Sequence, residues 1–258
     1  MNYKLALVLL VLQLHSIGVC SQDTERSFVS ELKVKYDMVL NYTEQLAFQS
    51  VLNANNTMSF FKFYTKNTDK TNLSEESDGL KLSVVPLDTT NYTVQFNKST
   101  NVLYTLEKDF DGKEKYYTKE YLPEINWKLE PQTKIIADIA CLSASTEFRG
   151  RTYQVWYAPS IPSNFGPWKL HGLPGLILEA KDLYNEVIFK VRQIEFVKED
   201  VNVALNQSYD ILSLEDHIER QDKGISELSK KMQSRMGKGV TLNVTDIDRI
   251  ELSFDDTE

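Results

Sequence analysis

Hydrophobic and polar positions alternate with a period of two over much of this chain. The clearest run is Phe28–Leu40, where Leu32, Val34, Tyr36, Met38 and Leu40 share one parity and Lys33, Lys35 and Asp37 take the other. Successive side chains of a strand point to opposite faces, so the pattern predicts a long, half-buried antiparallel strand. Asn53–Asn56 reads as a turn and Met58–Tyr64 as the next strand. Thr65–Gly79 is polar, has little to bury and is expected to be an exposed, mobile loop. A meander follows: Leu80–Val85, Tyr92–Phe96, Val102–Leu106, Tyr116–Tyr121, Ile125–Leu129 and Ile135–Leu142 each read as a strand. Asp111-Gly112 is a type I′ hairpin signal. Phe148–Tyr157 continues the alternation, with Tyr153, Val155 and Tyr157 opposed to Thr152, Gln154 and Trp156. Such short strands with frequent turn signals predict a mainly β fold, an antiparallel curved sheet or an open barrel or sandwich.

The alternation stops at Ala158–Gly175, which holds four prolines (159, 162, 167, 174) and three glycines (166, 172, 175). A connection this long without periodicity has a function or a packing task. Its last residues are the most specific string in the chain, Gly172-Leu173-Pro174-Gly175-Leu176-Ile177-Leu178. Pro174 presets φ and Gly175 accepts a positive φ, so Leu173–Leu176 fits a type II turn delivering the chain into a core strand. Strands resume at Leu176–Ala180 and Glu186–Phe196. In the latter the apolar parity changes between Val191 and Ile194, which predicts a β-bulge near Arg192-Gln193. Beyond it Leu214, Ile218, Ile225, Leu228, Met232 and Met236 recur at helical spacing, so 214–236 is predicted as one amphipathic helix. Ser213 would cap its start and Gly237 its end, with Gly224 a weak point inside. Ile250–Phe254 would add a closing strand.

Composition changes this picture in three places. Residues 1–21 carry Lys4, an apolar run over Leu5–Leu14 and small residues Val19-Cys20-Ser21, the layout of a secretory signal peptide cleaved near residue 20 or 21. Cys20 also stands where a lipidated cysteine would stand, but Val19 does not suit that role. Without residues 1–21 the chain has 28 basic and 37 acidic residues, a net charge of 28 − 37 = −9, and no basic stripe. That composition speaks against nucleic acid as a partner, and no later apolar segment is long enough to cross a membrane. Asn41, Asn55, Asn72, Asn91, Asn97, Asn206 and Asn243 each begin an Asn-X-Ser/Thr triplet, the pattern of a eukaryotic secreted glycoprotein or of chance in a chain rich in Asn, Ser and Thr. The expected organisation is one β domain over residues 22–200, with the helix and closing strand of 201–258 packed on or beside it.

Candidate chemistry is thin. The mature chain has two histidines, His171 and His217, and one cysteine, Cys141. No nucleophile elbow, zinc motif, paired-cysteine motif or phosphate loop is present, and no cofactor is implied. His217 beside Asp216 reads as a solvated helix residue. Cys141 shares its parity with Ile135, Ala137 and Ile139, so a buried, inert thiol is the expectation. A reactive thiol would need exposure and a nearby cation, which Arg149 or Arg151 could supply. Those arginines otherwise read as strand-edge residues or as binders of a carboxylate ligand. Trp156, Trp168 and His171 gather around the long loop, where they would staple it to the core or form a binding mouth.

The segment Lys134–Glu179 resembles the core block of the GLPGLI family of Bacteroidetes cell-envelope proteins. The resemblance rests on a lone Cys followed nearby by Ala, Phe148-Arg149-Gly150-Arg151 with Tyr153, Trp156-Tyr157, Ile161-Pro162, Gly166-Pro167-Trp168 and Gly172–Leu178. Asp138-Ile139 departs from it, standing where members show Gly-Tyr before the Cys. The resemblance implies a secreted or periplasmic β domain linked to TonB-dependent outer-membrane receptors, and it brings no catalytic residues. The functional expectation is therefore a non-enzymatic ligand-binding, carrier or accessory domain whose partner is an outer-membrane receptor or an apolar ligand. The alternative is an envelope enzyme using Cys141 or a carboxylate pair near the 158–175 loop.

Overall fold

A computed structural model describes residues 26–42, 45–65, 74–76, 79–81, 92–109, 112–235 and 250–254. The signal-peptide region, most of Leu80–Val85 and Gly237 lie outside the described residues. The chain opens with β1 (Ser27–Ser30), β2 (Leu32–Asn41), β3 (Gln45–Ala54) and β4 (Met58–Thr65). A small ribbon, β5 (Ser74–Glu76) and β6 (Gly79–Lys81), precedes the meander β7 (Tyr92–Asn97), β8 (Val102–Lys108) and β9 (Lys115–Tyr121). A second meander comprises β10 (Lys128–Ile136), β11 (Ile139–Phe148), β12 (Arg151–Ala158), β13 (Leu176–Asp182) and β14 (Val187–Glu195). The chain then runs through β15 (Glu199–Asn202) and β16 (Ile211–Ser213) into the helix α1 (Leu214–Arg235).

Among the described residues twelve strands form one unclosed sheet in the order β10-β11-β12-β13-β14-β2-β3-β4-β7-β8-β9-β16. The two meanders join where β14 pairs with β2, and all neighbours are antiparallel except β16 on β9. β2 thus stands mid-sheet, and its alternation is the one the sequence predicts: Leu32, Val34, Tyr36, Met38 and Leu40 are all buried. The predicted bulge is present, since Val191 pairs with Tyr36, Gln193 with Lys35, and Arg192 is the extra residue. β1 and β15 make a separate two-stranded sheet over a satellite core of Phe28, Met58, Val201 and Val203.

A lone sheet cannot bury a core, so something must fill its concave side. The 158–175 loop does this. Phe165 meets Phe96 of β7 at 6.1 Å between ring centroids, while Trp168 meets Phe148 and Tyr153 of the far meander at 5.8 and 6.3 Å. Strands seven places apart in the sheet are therefore bridged by one loop, around which the sheet curls. Ile161, Phe165, Trp168, Leu170 and Leu173 are all buried, and Phe165 pairs with His171 through an isolated bridge.

Several local expectations are corrected. Ile135–Leu142 is not one strand: Ala137 and Asp138, at φ 50° and 63°, turn the chain between β10 and β11. Arg149 and Gly150, at φ 52° and 74°, likewise split Phe148–Tyr157. Two central residues with positive φ define type I′ geometry, here made by residues other than the usual Asn-Gly or Asp-Gly. At the β8–β9 hairpin the turn closes from the carbonyl of Asp109 to the amide of Gly112, so Gly112 ends the turn instead of sitting inside a two-residue one. Ser74–Glu76 is a strand within the expected polar loop, and the rest of that loop up to Asp78 lies largely outside the described residues. Ile250–Phe254 docks without strand pairing, through the Leu252 and Ser253 amides onto the carbonyl of Arg149.

The helix is confirmed, unbroken at Gly224, and Ser213 caps it: its Oγ accepts from the Asp216 amide at 3.0 Å. It lies along the β9 edge and buries none of its described side chains, so it does not cover the sheet. Three of the Asn-X-Ser/Thr triplets are turn devices. The side-chain oxygens of Asn55, Asn97 and Asn206 each accept an amide two residues on, at 2.9 to 3.0 Å.

The Leu173–Leu176 turn also differs from expectation. The Gly175 amide bonds the carbonyl of Leu173 at 2.9 Å, a three-residue γ-type turn around Pro174. Gly175 has φ 157°, far from a type II turn, and its glycine is demanded by space: a Cβ there would lie 2.4 Å from the carbonyl oxygen of Ala158. Gly175→Val should therefore cost about 3 kcal/mol or more. An unchanged melting temperature in that variant would show that the close approach to β12 is not what fixes this residue.

Candidate functional site

The sequence-selected residues fall into three places. On the outer face Trp156 is half-buried, paired across strands with Glu179, and Lys134 lies 5.6 Å over its ring while bonding Glu179 at 2.6 Å. Cys141 is fully buried one strand away, directly across from Lys134. A strand rises about 3.3 Å per residue, so Arg149, eight positions on, stands roughly 25 Å from the sulfur. Neither arginine activates this thiol. Burial and the Glu179 carboxylate raise its pKa, with Lys134 and a backbone hydrogen bond only partly opposing.

The second place is the loop. His171 is half-buried: its Nδ1 donates to the carbonyl of Lys169 at 3.0 Å, its carbonyl accepts from Trp127 Nε1 at 2.8 Å, and its ring meets Phe96 at 5.2 Å. Burial lowers its pKa, so it favours the neutral ring. Trp168 is buried with φ 57°, a conformation bulky residues rarely take. Gly172 and Pro174 are exposed, while Leu173, Leu176 and Ile177 are core. The pocket lined by Ser59, Phe96, Leu103, Phe165, Trp168 and His171 does not admit a water molecule. These side chains staple the loop to the sheet and leave no mouth between them.

The third place holds the two arginines, together with Glu120, Lys169, Glu251 and Glu107, which the sequence did not single out. Arg149 and Arg151 are buried, at 0% and 4% exposure, and each sits in an ion network. Arg151 Nη1 reaches Asp182 at 2.8 Å and Glu186 at 2.6 Å, and its Nε donates to the carbonyl of Ile250 at 2.8 Å. Arg149 Nη2 contacts Glu120 Oε2 at 2.5 Å. Lys169 Nζ, also buried, lies 2.5 Å from both Glu120 Oε1 and Glu251 Oε1. Burial pulls the Lys169 pKa down, but Glu251 and Glu120 outweigh it and the net shift is upward. Glu107 on β8 stands near this cluster. Desolvation, reinforced by Glu251 and Glu120 and opposed by Lys169, pushes it up to about 8.

Charges removed from water demand partners, and here the partners come from β9, the β11–β12 turn, the loop and the C-terminal segment. The signal for Glu120 existed but was ambiguous. Tyr116, Thr118 and Glu120 share one parity, Tyr117, Lys119 and Tyr121 the other, and the sequence does not say which faces inward. Lys169, between Trp168 and Leu170, gave no periodic signal at all. His217 is likewise not simply solvated: its Nδ1 is hydrogen-bonded to Tyr116 OH at 3.0 Å. Among the described residues no group of three or more His, Cys, Asp or Glu side chains is arranged to hold a metal ion. No helix among the described residues is long and apolar enough to cross a membrane.

With this geometry in hand, comparison with known proteins is informative at one stretch. A Bacteroidetes-associated family described as "Protein of unknown function (Porph_ging)" matches residues 145–179. That span runs from β11 through the arginine turn and the whole loop into β13. No curated protein matches the chain. Two solved structures of PNGF-II are 13% and 14% identical, each with a TM-score of 0.47. They cover 77% and 76% of this chain, which spans about a third of theirs (34% and 33%).

Two outcomes follow. Cys141 should resist alkylation in the folded protein and react once it is unfolded; rapid labelling of native protein would overturn the buried assignment. For Glu107 the folded pKa lies above the unfolded one, so the native state holds a proton that the unfolded state has lost between about pH 4.5 and 8. Stability should fall as pH rises through that window, by roughly 1–3 kcal/mol because Glu107 keeps some contact with solvent. Glu107→Gln should flatten the decline, and denaturant titrations at pH 5 and 8 that show the same slope in both proteins would reject it.

Proposed function

We propose that this chain is a non-enzymatic, secreted cell-envelope protein of GLPGLI type, acting as an accessory domain that docks onto an outer-membrane receptor component through the β10 edge of its sheet. The carrying observation is the exposure of that edge. β10 is the terminal strand, solvent-exposed along nearly all its length, and Leu129, Ile135 and Leu142 of neighbouring β11 are 62%, 66% and 38% exposed. An edge strand with unpaired backbone groups is a template for strand addition, here over Thr133–Ile136, beyond Pro131 and the irregularity between Glu130 and Thr133.

Two further observations favour docking over the other readings. A carrier needs a cavity, and the pocket between loop and sheet lined by Phe96, Phe165 and His171 does not admit a water molecule. An enzyme needs accessible, tuned groups; the thiol is buried, and the charges of the ion cluster are paired mainly with one another. The secreted location and the GLPGLI assignment rest on the signal-like leader and the motif string, and they explain why an accessory of the outer membrane is the partner class.

A photo-crosslinker placed at Leu129 or Ile135 should capture a receptor component in cells, whereas one at Lys62 on mid-sheet β4 should not. Ile135→Lys should abolish capture while changing stability by less than about 0.5 kcal/mol. Equal capture from both positions, or an unchanged yield with the lysine, would reject the edge. A native mass spectrum of envelope-purified protein carrying a stoichiometric lipid would instead restore the carrier reading.

A further inference from the structure

The five residues Ile250–Phe254 sit on the body as a peptide sits on a receptor. Their backbone supplies three contacts: the carbonyl of Ile250 accepts from Arg151 Nε, and the amides of Leu252 and Ser253 donate to the carbonyl of Arg149. Their side chains add others. Glu251 reaches Lys169 at 2.5 Å, and the Phe254 ring lies 5.8 Å from the Arg149 guanidinium, whose other aromatic neighbour is Phe148 at 5.5 Å. The burial is asymmetric. Arg149, Lys169 and Glu120 are at most 5% exposed, whereas Leu252 is 55% exposed and the other four segment residues are only partly covered.

Gly150 shows that the notch is shaped for a chain. A Cβ there would lie 2.8 Å from the Ser253 amide nitrogen and 3.0 Å from Leu252 Cβ. A turn with φ 74° prefers glycine in any case, but the close approach of another backbone is a separate demand at the same residue. Glu120 already divides its two oxygens between Lys169 and Arg149, so a second carboxylate over Lys169 has a defined place.

We propose that the notch formed by Arg149, Gly150, Arg151 and Lys169 is a binding site for an extended acidic peptide of a partner protein, held closed by the chain's own segment Ile250–Phe254. The recognised pattern is a carboxylate preceded by an apolar residue and followed three positions later by an aromatic. The resident copy competes because it belongs to the same chain, so its binding is intramolecular. A partner peptide in trans must outcompete it or meet the chain when the segment is lifted. This site is independent of the β10 edge, so either proposal stands if the other fails.

The test uses the full chain and a labelled synthetic peptide, Asp-Arg-Ile-Glu-Leu-Ser-Phe-Asp, the sequence of residues 248–255. Full-length protein carrying Glu251→Gln and Phe254→Ala keeps the notch but loosens its occupant. By fluorescence anisotropy the peptide should bind this variant at least ten-fold more tightly than it binds the unaltered protein, and a peptide with Gln for Glu should lose at least ten-fold. A folded variant that binds neither peptide, or both equally, overturns the proposal. A measurement on the unaltered protein covers failure of the variant to fold. The Leu252 and Ser253 amides should exchange hydrogen at least a hundred-fold faster than the amides of β12, by local opening. Exchange at the β12 rate would make the segment a permanent part of the fold, and a stable dimer with exchanged segments would assign the notch to a second copy; either result overturns the partner assignment.

Discussion

The structure depends on one packing constraint: a single open sheet has two faces and nothing of its own to cover the inner one. The helix does not cover it, because α1 lies along the β9 edge. The 158–175 loop does, and it is rich in Pro and Gly because it must double back within a narrow space while placing Phe165, Trp168, Leu170 and Leu173 inward. Gly175 permits the approach of its backbone to Ala158, and Gly166 the approach to Ile177. Trp168 holds φ 57° because its ring must reach Phe148 and Tyr153. Backbone strain of that kind persists where the surroundings over-determine it, as a filled core does. The curl of the sheet follows: β7 and β12 are brought to opposite sides of one plug.

The plug carries a charge into the core, and the rest of the electrostatics is a response to it. Lys169 follows Trp168 in sequence, so seating the tryptophan buries the lysine next to it. An isolated buried ammonium is expensive, and Glu120 and Glu251 offset that cost. Glu120 in turn brings in Arg149, whose left-handed backbone at the β11–β12 turn aims its guanidinium inward. The C-terminal segment is thereby tied to the loop through an ion pair and to the turn through hydrogen bonds. Fold, ion network and chain terminus form one connected system with the loop at its centre.

What was legible in the sequence divides along physical lines. Strict alternation over Leu32–Leu40 placed the central strand and its inner face correctly, because one parity was almost purely apolar. The bulge at Arg192 was legible for the same reason, as a change of phase. The helix was legible from its spacing and from Ser213. The hairpins at Ala137-Asp138 and Arg149-Gly150 were not, because their left-handed residues are not the Asn-Gly or Asp-Gly pairs that announce such turns. Arg149 and Arg151 were legible as candidates that could bind a carboxylate, but their burial was not, since charge normally marks a solvated edge; only the three-dimensional gathering of Glu120, Glu251, Asp182 and Glu186 shows it. The string ending the loop was correctly seen as special, but its glycine answers to a neighbouring carbonyl and not to a turn type.

These observations bear on where function should be sought. The span matched by a family of unknown function, residues 145–179, is the arginine turn, the plug and the strands on either side of it. Its memorable residues are glycines, prolines and aromatics engaged in packing, and its two arginines are engaged with carboxylates of the same chain. A signature of this composition identifies a scaffold and does not describe a reaction. Both proposals therefore look to what the plug leaves uncovered: the outer edge of β10, which has no partner strand among the described residues, and the notch, whose occupant is held by one edge and faces solvent along the other.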